Sequence, residues 1–124
     1  MTTMNDWADY TRFRDAFSSV MDRRFYSPEW LDGEIWSGRA RIWCTEQSAI
    51  IATLKVYPTG AREVHGLVAV GGLDDIVMLI AAAEQWGRSL GCIVAGIDSR
   101  EGWAKQLRGC GYEVYQTCIR KELA

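Results

Sequence analysis

The alternation of hydrophobic and polar positions divides the chain into a helical beginning, a run of strands, and a last part in which helices and strands alternate. From Asp6 to about Arg24, Trp7, Tyr10, Phe13, Phe17, Val20 and Met21 recur at helical spacing. Asp9, Arg12, Asp15, Asp22 and Arg23 take the opposite side, which predicts an amphipathic helix. Ser27, Pro28 and Glu29 form a helix start, with a hydroxyl N-cap, proline in the first turn and an acid behind it. Trp30, Leu31, Ile35 and Trp36 are expected to face inward, and Ser37-Gly38 ends this second helix. Period-two alternation begins at Ala40 and predicts three strands, 40–45, 49–57 and 62–70. Glu46-Gln47-Ser48 and Pro58-Thr59-Gly60 supply their turns. Gly66, in the middle of the third strand, marks a bulge or a close approach.

The longest helical pattern lies between Gly71 and Gly91, with Ile76, Leu79, Ile80, Ala83 and Trp86 to Gly87 on one face. Asp74 and Asp75 stand in its first turn, where carboxylates accept from free N–H groups. Arg88 stands in its last turn, with Gly91 as a left-handed terminator. Ile93 to Ile97 is a short apolar strand of the buried parallel kind. A helix over about 100–108 and a last strand over 112–121 complete the order. The strands joined by tight turns should be antiparallel, and the strand–helix–strand crossover parallel. The expected architecture is α/β: a single domain with a central, mixed, mostly antiparallel sheet of about five strands. Helices flank it, two of them N-terminal; residues 1–38 form the helical part and 40–124 the sheet-forming part.

Composition narrows the function. With 124 residues, 48% hydrophobic and 24% charged, the chain is long enough for a core and too apolar for disorder. Fourteen basic and sixteen acidic residues leave a net charge of -2, so no domain-wide positive field gathers nucleic-acid phosphates. Cys44, Cys92, Cys110 and Cys118 form no C-x-x-C pair and there is one histidine, which argues against a metal site and for thiols in a reducing compartment. No leader peptide is expected from the N-terminal pattern, and the longest apolar run, Ile76 to Ala83, is too short to cross a membrane. The expected location is the cytoplasm. Six tryptophans are numerous for this length; they fill the core or form an aromatic interaction surface.

The candidate chemistry is sparse. A strand, a glycine turn and a helix suggest an anion site at the helix N-terminus, but Asp74 and Asp75 place negative charge there. His65 is the only imidazole; it is a general base if an amine reaches it, or an outward strand residue with no role. Glu63, two positions earlier, shares its strand face and completes the best candidate pair. Cys92 and Cys110 read as small apolar fillers. Asp98, Arg100 and Trp103 form either a cap-and-stack cluster or a partner-binding edge.

The order of elements, with "AAAEQWGRSLGC" at 81–92 and "GCGYEVYQTCIRKEL" at 109–123, resembles the GNAT acetyltransferase superfamily over about Arg41 to Leu123. The segment "SREGWAKQL" from Ser99 is similar to small GNAT-like proteins of tailed phages and prophages. The resemblance implies a backbone loop that holds the acyl-CoA diphosphate, and this loop falls on Gly71, Gly72, Leu73, Asp74, Asp75 and Ile76. The family's two later glycines are then Asp74 and Ile76, no basic residue lies between Val70 and Asp75, and the connection is short. Gly71 and Gly72 still let the chain bend to offer N–H groups. A carboxylate about 4 Å from a phosphate charge at a surface-like dielectric costs about 4 kcal/mol before salt screening. Many relatives carry a tyrosine that protonates the leaving thiolate; here its place is Leu107, and Tyr112 reads as core. The family's first strand is replaced by helix.

The resemblance and its departures imply a non-catalytic GNAT-fold protein that binds no cofactor or metal and acts on a protein partner or a second copy, as in a phage assembly or virion. Its expected contact residues are Trp7, Tyr10, Phe17, Trp30 and Trp36 on the N-terminal helices. The alternative is an acetyl-CoA-dependent N-acetyltransferase with an atypical loop. A small-ligand or peptide binder using the cleft between splayed strands is a third reading.

Overall fold

A computed structural model describes residues 3–99 and 101–123; Arg100 lies outside them. Helix α1 (Met4–Val20) starts on Thr3, whose hydroxyl accepts the N–H of Asp6, and ends four residues before the expected Arg24. The backbone turns extended at Met21, and the carboxylate of Asp22 accepts the N–H of Arg24 in the turn beyond. Helix α2 (Pro28–Trp36) has the expected cap, with the Trp30 N–H donating to Ser27 Oγ at 3.1 Å. The two helices are joined through Asp32, which accepts from Nε and Nη2 of Arg14 (2.7 and 2.8 Å) and from the Tyr10 hydroxyl (2.5 Å).

Strands β1 (Ala40–Cys44), β2 (Ala49–Val56) and β3 (Arg62–Val70) form the antiparallel meander. Helix α3 (Leu73–Ser89) then crosses to β4 (Val94–Ile97), which pairs parallel with β3. The sheet order is β1-β2-β3-β4. Gly66 does sit at a bulge: Ile51 pairs with Val68 and Ala52 with Gly66, which leaves Leu67 as the extra residue. Helix α4 (Glu101–Leu107) and a 3-10 turn at Arg108–Cys110 follow.

The sheet separates two cores. On one face α1 and α2 bury Tyr10, Phe13, Phe17, Leu31 and Ile35 against Ala40, Ile42, Ala49 and Ile51. On the other, α3 buries Ile76, Leu79 and Ala83 against Ile50, Ala52 and Val64, with Trp43, Trp86 and Trp103 at the margin. Trp103 packs against this core; the expected cluster with Arg100 lies outside the described residues. Gly87 lets α3 lie close to β3, since a Cβ there would stand 2.8 Å from Val64 Cβ and Cγ1.

Three expectations about structure need correction. The strand expected over 112–121 does not form, so the sheet has four strands: among the described residues the segment joins no ladder. Its β-branched and aromatic side chains give it strand propensity, yet neither of its faces is consistently apolar, so burial does not fix it to β4. Trp30 and Trp36 point outward, 38% and 54% exposed, because Leu31 and Ile35 already fill the α2 face toward the sheet. Cys110 is exposed and fills nothing, while Cys92 packs beside the α3 core with burial pushing its thiol pKa up. Among the described residues no helix is long and apolar enough to cross a membrane.

Candidate functional site

Two places in this fold carry the chemistry that the sequence suggests. The first is the junction of β3 with α3. Gly71 takes φ +112°, and a Cβ on it would overlap Ser48 outright, so the chain turns hard against the β1–β2 loop. Ser48 is buried there and accepts the Gly72 N–H at 3.1 Å. Its hydroxyl proton goes to Asp75 Oδ2 at 2.9 Å, and the Thr45 hydroxyl donates to the same oxygen at 3.1 Å. Asp75 thus accepts from two side chains of the neighbouring loop, which corrects its expected role as a cap for N–H groups of its own helix. The N-cap residue Gly72 has no side chain to cap with, Asp74 is exposed, and Ile76 belongs to the core.

Such a junction does not fit a diphosphate. A backbone nest for anions needs successive N–H groups turned outward. Here the Gly72 N–H is turned inward onto Ser48, and Asp74 and Asp75 bring like charge to the position the phosphates would take. The residue in the place of the thiolate-protonating tyrosine, Leu107, is 2% exposed and apolar. Tyr112 gives its hydroxyl to Glu84 Oε2 at 2.6 Å, and burial, with that carboxylate beside it, pushes its pKa up. It holds the segment after α4 against α3.

The second place is on the α1/α2 face of the sheet, where β3 meets β4. His65 and Glu63 are brought together as their spacing predicts, with His65 Nδ1 2.6 Å from Glu63 Oε2. The Tyr57 hydroxyl donates to the other carboxylate oxygen at 2.7 Å, which raises the phenol pKa. His65 is mostly buried and is not the outward-pointing strand residue that a solvated face would hold. A carboxylate oxygen only accepts, so Nδ1 is the donor to Glu63. Nε2 lies 3.4 Å from Asp98 Oδ2, just beyond the end of β4, which brings Asp98 to this array. Gly96 makes the room: a Cβ there would lie 2.6–3.0 Å from the Glu63 carboxylate atoms.

Tyr57, Asp98, Ser48 and Thr45 were not legible as partners in the sequence. For Tyr57 a signal existed. The 58–60 turn sets Val56 opposite Arg62, and Tyr57 follows at the end of that ladder, near Glu63. No comparable pattern links Ser48 to a helix that starts 25 residues later. Among the described residues, no three His, Cys, Asp or Glu side chains come together as a metal cage.

Of the five aromatics expected to meet a partner, Tyr10 and Phe17 are 0% exposed and serve the core, so they form no docking face. Trp7 is half-buried between Tyr10 and Trp36. Trp30, paired with Tyr26, and Trp36 do reach solvent, as does Phe25 in the α1–α2 loop.

The sequence matches no protein-family model and no curated protein. Solved structures share its fold. A Trypanosoma brucei acetyltransferase aligns over 94% of both chains at 14% identity and a TM-score of 0.70. Glucosamine-6-phosphate N-acetyltransferase from Arabidopsis thaliana covers 95% of this chain and 94% of its own, at 14% identity and a TM-score of 0.71. A predicted acetyltransferase from Clostridium acetobutylicum, solved with acetyl-CoA, covers 98% and 92% at 7% identity and a TM-score of 0.69. The chain has the GNAT acetyltransferase fold, and at these identities the likeness is one of fold.

Proposed function

We propose that this GNAT-fold protein works without acetyl-CoA and acts through contacts with other protein chains. One observation carries the reading: Ser48 takes the Gly72 N–H and, with Thr45, the Asp75 carboxylate, closing the junction where the fold's relatives are expected to grip a diphosphate. The exposed aromatics Phe25, Tyr26, Trp30 and Trp36 supply surface of the kind enriched at protein interfaces. The similarity of Ser99–Leu107 to small phage proteins carries the further proposal that the assembly is a phage particle, and it carries that alone. A ligand present at 100 times its Kd raises stability by about 2.7 kcal/mol. Thermal unfolding in millimolar acetyl-CoA should therefore match unfolding without it, and a clear upward shift would overturn the proposal.

A second reading, N-acetyl transfer, is favoured by the Tyr57–Glu63–His65 array, in which a hydrogen-bonded carboxylate orients an imidazole as a general base is oriented. The same titration separates the two, because catalysis requires the coenzyme to bind.

A further inference from the structure

Both ring nitrogens of His65, the only histidine of the chain, meet a carboxylate, and the two carboxylates are held very differently. Glu63 is walled in, with a side chain 10% exposed. One of its oxygens takes Nδ1 at 2.6 Å, the other takes the Tyr57 hydroxyl at 2.7 Å, and the Gly96 backbone lies close against it. Asp98 stands just past Ile97, the last residue of β4, with Oδ2 3.4 Å from Nε2 and a side chain 94% exposed. A carboxylate only accepts, so the ring meets both through N–H groups only as the imidazolium. A neutral ring that donates from Nδ1 to Glu63 would turn a lone pair toward Asp98, acceptor against acceptor. Across the sheet His65 faces Thr53 on β2 and Gly96 on β4, both uncharged. The Thr53 hydroxyl donates to the carbonyl of Arg39, whose guanidinium pairs with Glu34. Lys55, opposite Glu63, holds Nζ 5.1 Å from the centre of the Tyr57 ring. The α1/α2 core meets β3 farther along, at Leu67, Val68 and Val70. Gln116, Thr117 and Cys118 border an open space together with Asp98.

From this geometry we propose that His65 is a proton-operated latch between β3 and the chain that leaves β4. While Nε2 holds its proton, the charge of the ring draws Asp98 over it and ties that chain, through the ring, to Glu63. As pH rises through the range in which imidazoles discharge, Nε2 gives its proton up and the attraction becomes a contact between two acceptors. Asp98, already in water, then turns away. Glu63 stays in place, because Nδ1 and the Tyr57 hydroxyl still donate to it. One side of the ring opens, and the chain after Ile97 loses its tie. The contribution of Asp98 is therefore complete on the acid side, where the ring is charged, and lost as pH rises. An ion pair with one partner in solvent is weak, so the latch shifts the balance between tied and free by about two- to fivefold. A change of that size biases a local conformation without deciding whether the protein folds.

The test is nuclear magnetic resonance of the isotopically labelled full chain between about pH 5 and about pH 9, with Asp98→Ala alongside. A single histidine gives one unambiguous pair of ring nitrogen signals. Asp98 is exposed, so Asp98→Ala leaves the fold intact. At the acid end both ring nitrogens should carry protons, and the heteronuclear Overhauser effect should show the backbone at Asp98 ordered like β4. As Nε2 loses its proton, that order should fall with the same midpoint. In Asp98→Ala position 98 should be loose at every pH. Urea unfolding supplies the second measurement: Asp98→Ala should lower the folding equilibrium constant about two- to fivefold at the acid end and leave it unchanged at the alkaline end. The proposal is overturned if Asp98 is equally ordered at both ends, or if the ring keeps one protonation state throughout. It is equally overturned if position 98 responds to pH in Asp98→Ala as in the wild type, or if that substitution costs the same at both ends.

Discussion

Replacing Gly87 by alanine should destabilise the protein, although the same change in an unobstructed helix stabilises it. Alanine is favoured over glycine inside a helix by about 1 kcal/mol. Against that gain, the new methyl would stand 2.8 Å from Val64 Cβ and Cγ1, where carbon atoms prefer about 3.5–4.0 Å. Val64 cannot step aside. It is β-branched, so χ1 is restricted, and its backbone is held between Leu54 on β2 and Ala95 on β4. Relief must come from lifting α3, which loosens Ile76, Leu79 and Ala83 in the same core. Overpacking of this kind costs about 1–3 kcal/mol, and after the propensity gain the net loss is up to about 2 kcal/mol. Gly33 in α2 is the control, because a Cβ there meets nothing within 4 Å; Gly33→Ala should stabilise by about 0.5–1 kcal/mol. Urea unfolding with an unchanged m-value measures both. Combining Gly87→Ala with Val64→Ala should cost less than the sum of the two single changes. Stabilisation by Gly87→Ala equal to that of Gly33→Ala would refute the close α3–β3 contact on which the packing rests.

Two further expectations concern titration. Hydrogen bonds from Arg14 are the largest cause holding the Asp32 carboxyl below its usual range, with the Tyr10 hydroxyl adding to them. A depressed folded pKa makes this contribution complete above the unfolded value of about 3.9 and lost as pH falls through the folded pKa. The acid limb of stability against pH should therefore flatten in Asp32→Asn, and an unchanged acid limb would contradict the clamp. The Glu63 carboxylate raises the Tyr57 phenol pKa, so Glu63→Gln should make Tyr57 ionise at lower pH than in the wild type. Absorbance at the tyrosinate band reads this against a Tyr57→Phe reference; an identical titration in both backgrounds would mean that the hydroxyl does not bond Glu63.

Much of the scaffold was legible because its periodicities are local. The Ser27-Pro28 start, the three-stranded meander and the face of α3 each follow from spacing within one element. The bulge at Gly66 was announced by a glycine in a strand. What failed depended on distant parts. The 112–121 segment has strand residues, but pairing requires β4 to be met along its length. Tyr10 and Phe17 share a helix face with Trp7, and only the position of the sheet decides that the first two are sealed while Trp7 is half-buried. At the site, Glu63 with His65 followed from alternation on one strand, whereas Ser48, Thr45 and Asp75 come together across 27 to 30 residues of chain with no periodic trace.

The account stands on the closure of the β3–α3 junction, and the backbone amides of Gly72, Leu73, Asp74 and Asp75 report on it directly. Their signals should be followed by nuclear magnetic resonance in the isotopically labelled full chain as acetyl-CoA is added to large excess. The closed junction predicts that none of the four moves in a saturable way, in the wild type or at raised coenzyme concentration. Saturable shifts at Gly72 through Asp75 would show a diphosphate seated on these amides despite the Ser48–Asp75 contact, and would contradict the account.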